Sequence, residues 1–483
     1  MIKKTLVSIV YIALVACAAG GGETGTGQDS NTVVGTITRF GSVFVNGVEY
    51  EINDNTSIIL NGQTGSTASQ LQVGMVVTLV GSVNTDGVTG AASSITFDDN
   101  VRGTVTENTL ASNNQLKVLG QVVVVDDFDT VFESSVPAIK KLADIQVNNV
   151  VEVSGYTAGD GTIYATRIEV KQQSRSDGEE VELKGLVSSV TESTFIIGDM
   201  TIVYDPEVLK DFAGSELANG DYVEVKSVAS VSPNQLVASE IELKNPHSAI
   251  TARGSNEKIE VEGVVSSDLQ NSQFAINGQL VLVSEATQFE NGGRTTDIVV
   301  GKKVKVTGRL NADKQIVASE VEIKQEEKTK VAGLIEDINN LTKTISVLTQ
   351  EISISNATTL IDDREERRFF NFSHLLIGDY VEISYYVDSN GNQVASKLKL
   401  ESESEDTSGS GEAHAEWEIK GDIVAFDVAS DTITVLNHRI EVDGLLALVD
   451  GIIGREIEVK GSVTNAGVWV ANELELKDME DDD

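Results

Sequence analysis

Cysteine occurs once in 483 residues, proline four times, tryptophan twice and histidine four times. A single cysteine excludes any intrachain disulfide, so whatever domains form are held by packing and backbone pairing alone. Basic residues are also short: 36 Lys and Arg stand against 75 Asp and Glu, a net charge of −39. A field of that sign repels phosphate backbones, so no nucleic-acid partner is expected. The four histidines, His247, His374, His414 and His438, share no spacing. They read as scattered surface imidazoles and supply no catalytic or zinc set, since chemistry needs convergent groups in a pocket. The longest apolar run, Leu6 to Leu14, is too short to cross a bilayer as a mature helix.

What is present is glycine, 42 residues of it, set among short alternating runs of Val, Ile and Thr. That composition argues for an all-β chain with glycine turns. One pattern recurs six times: an apolar residue, a spacer, glycine, a spacer, an apolar residue. It stands at Val33–Ile37, Val101–Val105, Leu183–Val187, Val261–Val265, Val331–Ile335 and Ile419–Ile423. The six glycines lie 68, 82, 78, 70 and 88 residues apart. Self-similarity at such a period means an array of small domains rather than one large core.

The amino terminus is an export signal. Met1-Ile2-Lys3-Lys4 is a basic n-region, and the apolar run ends in Leu14-Val15-Ala16-Cys17. These four residues resemble the lipobox of bacterial lipoproteins, and the resemblance implies acyl chains on Cys17 that tie the protein to a membrane. The plainer alternative is an ordinary secretory leader with a free cysteine. Ala18 follows the cysteine where aspartate would favour inner-membrane retention, so an outer-membrane location is expected, on the periplasmic side or the cell surface.

Each repeat has the same order of signals. In repeat one an alternating strand from Thr32 leads to Ser42-Val43-Phe44-Val45, then Asn46-Gly47, then Val48 to Ile52. Asn-Gly between apolar runs is a hairpin, because both residues tolerate positive φ. Asn277-Gly278 repeats it, and Gly198-Asp199, Asn437-His438 and Gly120-Gln121 are expected to serve elsewhere. An irregular stretch then ends in segments such as Leu71-Gln72-Val73-Gly74 and Leu376-Ile377-Gly378. Two alternating strands close the unit, with an out-of-phase alanine (Ala165, Ala238, Ala318, Ala471) that marks either a bulge or a closing corner.

Five strands broken after the third give an OB-like β-barrel, and six of them form beads on a string; small open β-sandwiches are the alternative. The leader and the repeat together resemble an uncharacterised family of bacterial domains of unknown function found as tandem copies in exported lipoproteins, a resemblance that brings no reaction and no catalytic residues. The expected divisions are a signal peptide over 1–16, a tether over 17–30, barrels over 31–100, 101–173, 181–245, 257–325, 329–401 and 416–478, an acidic linker over 402–415 and an acidic tail over 479–483. Barrels one and two, joined directly at Asn100, are expected to form a stiff pair with looser beads beyond.

Candidate sites are few. Asp126, Asp127 and Asp129 are hard-oxygen groups suited to calcium but lack the spacing of a calcium loop, so a solvated strand end is the plainer reading. Trp469 enters a last strand and is a candidate platform for a sugar ring, against the plainer reading of a core indole shared with Trp417. Phe369, Phe370 and Phe372, after the charged stretch Asp362 to Arg368, read as core. No other cofactor is expected. The functional expectation is a non-catalytic, lipid-anchored envelope protein that binds or spaces carbohydrate or protein partners. A calcium-responsive surface protein and an enzyme built on one divergent repeat are the alternatives.

Overall fold

The computed structural model describes residues 31–212, 215–229, 232, 234–245, 250, 257–325, 328–364, 369–401, 416–446 and 451–476. The expected signal peptide, tether, acidic linker and tail lie outside these residues. Strands make up most of the described chain, interrupted by single 3-10 turns and one four-residue α-helical segment, Leu110–Asn113. The chain is an all-β tandem array of OB-like five-stranded barrels.

Repeat four shows the unit. Its first strand, Lys258–Gln270, pairs through its second half with Gln273–Ile276, which turns back as Gln279–Leu282. That third strand runs parallel to the closing strand Ile316–Ile323, which pairs with Lys303–Leu310. Lys303–Leu310 returns to the first half of the first strand and completes the ring. Repeats one, two, five and six carry the same ring of ladders. In repeat three the closing strand is split into Gln235–Val237 and Glu240–Leu243, and the first two strands touch through one bridge, Ser188 to Ile196. Alternating inward residues such as Val261, Val265, Phe274, Val281, Val304 and Val306 fill the barrel of repeat four.

The repeated glycine has a more specific cause than barrel curvature. In four of the barrels the residue at the hairpin turn folds down over it. A Cβ on Gly35 would lie 1.9 Å from Asn46 Oδ1, and one on Gly263 would lie 2.1 Å from Asn277 Nδ2. In repeats two and five a leucine takes the place of asparagine: Leu119 Cδ1 lies 2.4 Å from a Cβ on Gly103, and Leu348 Cδ2 lies 2.8 Å from one on Gly333. This corrects two expected turns. Repeat two turns at Leu119-Gly120 (φ 47° and 76°), not Gly120-Gln121, and repeat six at Leu436-Asn437 (φ 49° and 66°), not Asn437-His438. Leucine is an uncommon residue at positive φ. Burial of Leu119 and Leu348 against neighbouring barrels offsets that strain.

The out-of-phase alanine marks a bulge. Register slips by one residue just after Ala165, Ala318, Ala395 and Ala471. In four barrels the opposing residue on the fourth strand is a glycine, where a Cβ at Gly155, Gly308 or Gly461 would meet a carbonyl oxygen at 2.2–2.3 Å.

The string folds back on itself. In an OB-like ring the first half of the first strand has one edge that no strand of its own barrel covers. Every such edge here is covered by the same edge of another barrel. Val101-Arg102 runs antiparallel to Glu182-Leu183, and Lys330–Ala332 antiparallel to Glu418–Lys420. Asn31–Val34 runs parallel to Lys258–Val261. Barrels thus pair as two with three, five with six, and one with four, and no described first strand is left with an open edge. Barrel three is therefore strand-paired with barrel two rather than loosely strung.

The two antiparallel pairs match in detail, since Val101 meets Leu183 and its counterpart Val331 meets Ile419. The glycine spacings repeat as well, short then long: 68 and 82, then 70 and 88. By pairing and spacing the chain divides into two three-barrel halves, repeats one to three and four to six.

Candidate interaction surfaces

Leu14, Val15, Ala16 and Cys17 lie outside the described residues, as do His247 and His414. The other expected positions can be placed. Asp126, Asp127 and Asp129 do stand together at the end of a strand, but lysines of repeats five and six meet them. Lys328 Nζ reaches Asp126 at 3.1 Å and also pairs with Asp129, while Lys420 Nζ is 3.2 Å from Asp127. Against the burial that would raise them, Lys330 and Lys420 hold the carboxyl of Asp127, and Lys328 that of Asp129, below the ordinary range. Each carboxylate expected to invite calcium gives one oxygen to an ammonium group, and among the described residues no group of three or more His, Cys, Asp or Glu is arranged to hold a metal ion.

Trp469 is half-buried between two rings. His438 stacks on it at 4.1 Å between centroids, and Trp417 lies tilted at 4.8 Å. Trp417 is itself buried. His438 is no surface imidazole: it is 8% exposed, and its Nε2 lies 2.9 Å from the Leu348 carbonyl of repeat five. His374 stacks on Phe370. Phe370 and Phe372 are buried as expected of core residues, whereas Phe369 is 61% exposed.

Several ionisable groups of the first and fourth strands lie inside the barrel junctions. At the meeting of repeats one, two and three, Lys184 Nζ is 2.9 Å from Asp99 Oδ1, 2.8 Å from the Asp99 carbonyl and 2.6 Å from Glu182. Burial raises the Glu182 carboxyl to about 8, while neighbouring Glu224, tied to Lys244 at 2.6 Å, is held below its ordinary range. At the meeting of repeats one, two and four, Tyr156 Oη joins Thr36 Oγ1 (2.8 Å) to Glu262 Oε1 (3.1 Å). Burial would raise Glu262, but Lys303, Lys324 and Lys305 bring it down to about 2.

A feature the sequence did not single out is the display of the loop before the fourth strand. Its tip exposes an apolar side chain in four barrels: Val147 (47%), Val300 (53%), Leu376 and Ile377 (64% each) and Ile453 (58%). In repeat one the same loop is seated. Its Gly74 carbonyl accepts from Thr166 Oγ1 at 2.6 Å and its Val73 carbonyl from Arg167 Nη1 at 3.1 Å, both on the closing strand of repeat two. The Leu-x-x-Gly motif that marks this loop was visible in the sequence, and an apolar residue in the spacer positions was the available signal.

An array of paired OB-like barrels is the class that this geometry defines. The chain belongs to the family described as domain of unknown function DUF5666, whose model matches residues 33–96, 102–169, 184–242, 262–322 and 332–399. The sixth barrel, beyond those matches, repeats the same ring of ladders. No curated protein matches the chain. Among solved structures, one described as "drosophila Unr CSD456" is similar, at 12% identity over 45% of this chain and 96% of its own, with a TM-score of 0.12.

Proposed function

We propose that this chain is a non-catalytic, lipid-anchored protein of the cell envelope, exposed at the outer membrane, that binds protein partners through a repeated loop. The observation that carries the reading is the display of apolar tips at one loop position of four barrels, together with the same loop seated on a neighbouring barrel in repeat one. Exposed apolar groups at matched positions favour a partner that engages several of them, where modest single contacts add through multivalency. Edge pairing favours a platform over an extended spacer, because it fixes barrels against one another. The lipobox residues Leu14 to Cys17 supply the anchor in this reading.

A photo-crosslinking residue at Ile377 or Ile453, carried by the full chain in its native envelope, tests the binding role. Discrete protein adducts at these tips, reduced by Leu376→Asp, are expected; adducts equal to those from the exposed control position Glu192 count against it. Acyl labelling that Cys17→Ser abolishes tests the anchor separately. Calcium is expected to leave the melting temperature unchanged, since the acidic triad is held by lysines.

A further inference from the structure

The two three-barrel halves have diverged in charge where they meet. Asp98-Asp99-Asn100 leads into the first strand of repeat two, and at the matching place in repeat five stand Lys328-Thr329-Lys330. The loop after the third strand has diverged too. In repeats one, four and five it spans Asn53–Thr56, Ser284–Thr287 and Ser355–Thr358, closed each time by the threonine hydroxyl on the backbone N–H three residues earlier. Repeat two has one residue more, Asp126-Asp127-Phe128-Asp129-Thr130, closed four residues back.

This longer, acidic loop enters the second half. Lys328 and Lys420 take its carboxylates, Lys420 also sits 4.5 Å from the Phe128 ring centre, and Lys397 Nζ lies 3.3 Å from the carbonyl oxygens of both Asp127 and Thr130. All three amines are buried, with side chains of Lys328 and Lys420 only 8% and 5% exposed. Other ties between the halves include four residues of parallel pairing with Val34 set against the core of repeat four, a small apolar cluster of Tyr156, Ala158 and Val264, and hydrogen bonds of Tyr156 to Glu262 and of Thr38 and Arg39 to the Ser355–Asn356 turn.

We propose that the loop 126–130 is an electrostatic latch that closes the second half onto the first, with the parallel pairing of Asn31–Val34 and Lys258–Val261 as the hinge. Buried ammonium groups are costly unless an anion compensates them, so the closed form depends on the loop's carboxylates. Taking them away leaves the lysines uncompensated when closed and hydrated when open, which drives opening while each barrel stays folded. The charge reversal at Asp98 and Lys328 also keeps the latch within one chain. A second copy offering its own loop to the first half would meet Asp98 where Lys328 stands, and the counterparts of Lys420 and Lys397 there, Lys184 and Arg167, are already paired with Asp99, Glu182 and Glu133, so this head-to-tail contact does not propagate into a filament.

Solution scattering on the full chain tests the latch. Asp127→Lys combined with Asp129→Lys is expected to raise the radius of gyration and the maximum dimension, with the β circular-dichroism signal unchanged. Adding Lys328→Asp and Lys420→Asp to that variant is expected to restore the compact particle, which a misfolded variant would not do. Glu192→Lys, a charge reversal at an exposed site of repeat three, is expected to scatter as the wild type. The proposal is overturned if the doubly reversed loop leaves the scattering unchanged, if the control expands equally, or if the complementary reversal leaves the particle as expanded as before.

Discussion

Two kinds of junction hold this molecule together, and they are built from different interactions. Between repeats two and three, and again between five and six, antiparallel first strands meet at equivalent residues and the barrels on either side share one continuous apolar core. Between repeats one and four the strands run parallel, the two core clusters stay separate with only Val34 of repeat one packed against that of repeat four, and repeat two meets repeats five and six through buried ion pairs. The shared-core pairs are bound by area removed from water, which is indifferent to charge. The contact between halves relies on compensated charges, which contribute little net stability but penalise separation of one partner from the other. Small barrels without disulfides are marginal alone. Pairing by shared core builds a stable unit, and pairing by charge joins units that remain separable.

Truncating the shared core should have the largest effect. Leu183, fully buried opposite Val101, is expected to cost about 2–5 kcal/mol on change to alanine and to destabilise repeats two and three together in urea unfolding. Val34→Ala, at the parallel junction where that side chain is only half-buried, should cost well under half as much. Equal losses would erase the distinction.

The first-strand glycines sharpen it next. Gly263→Ala drives a methyl into Asn277, whose side chain accepts from Val264 N–H at 3.0 Å and donates to the Glu262 carbonyl at 3.2 Å. A loss of about 1–3 kcal/mol is expected. Gly421→Ala meets nothing nearer than 3.6 Å and should be neutral, or stabilising by about 0.4–1 kcal/mol through the unfolded chain. Melting temperatures of the two variants decide whether the hairpin's approach, rather than strand curvature, is what requires glycine.

Tyr156→Phe removes the hydroxyl that joins three barrels. A loss of about 0.5–1.5 kcal/mol is expected, read by chemical denaturation, with the shared-core pairs untouched.

The junctions should also respond to pH in opposite senses. Glu182 has a folded-state value near 8, above its ordinary 4.5, so the stability it contributes is complete in acid and is lost as pH rises toward and through 8. Glu262 has a folded-state value near 2, so its contribution is present above 4.5 and is lost as pH falls through 2. Melting curves of Glu182→Gln should be flatter than wild type on the alkaline side, and those of Glu262→Gln flatter on the acid side.

Within each barrel, local signals carried most of the fold. Asn46-Gly47 and Asn277-Gly278 marked hairpins because their backbone preference is intrinsic, and the alanine out of phase marked a bulge because strand periodicity is a local property. Leu119, Leu348 and Leu436 hid the other turns, since leucine is uncommon at positive φ, and at Leu119 and Leu348 its side chain fits only because a glycine on another strand leaves room for it. The pairing of barrels was invisible for a related reason. An uncovered strand edge is a row of backbone groups with no residue signature, and whether it meets a neighbour depends on the fold of the whole chain. Asp126, Asp127 and Asp129 stood out as a cluster, but Lys328 and Lys420 lie some 200 to 300 residues away in sequence, so their pairing changed the meaning of the cluster from a cation site to a contact between halves.

Amide hydrogen exchange, resolved residue by residue across 31–34, 258–261, 101–102, 182–183, 330–332 and 418–420, tests the edge pairing most directly. In an isolated barrel successive amides of this strand point alternately to the fourth strand and to solvent. With every edge covered by a second barrel, both sets are protected to a similar degree. Rapid exchange of every second amide in these segments would contradict the account and leave the barrels as separate beads.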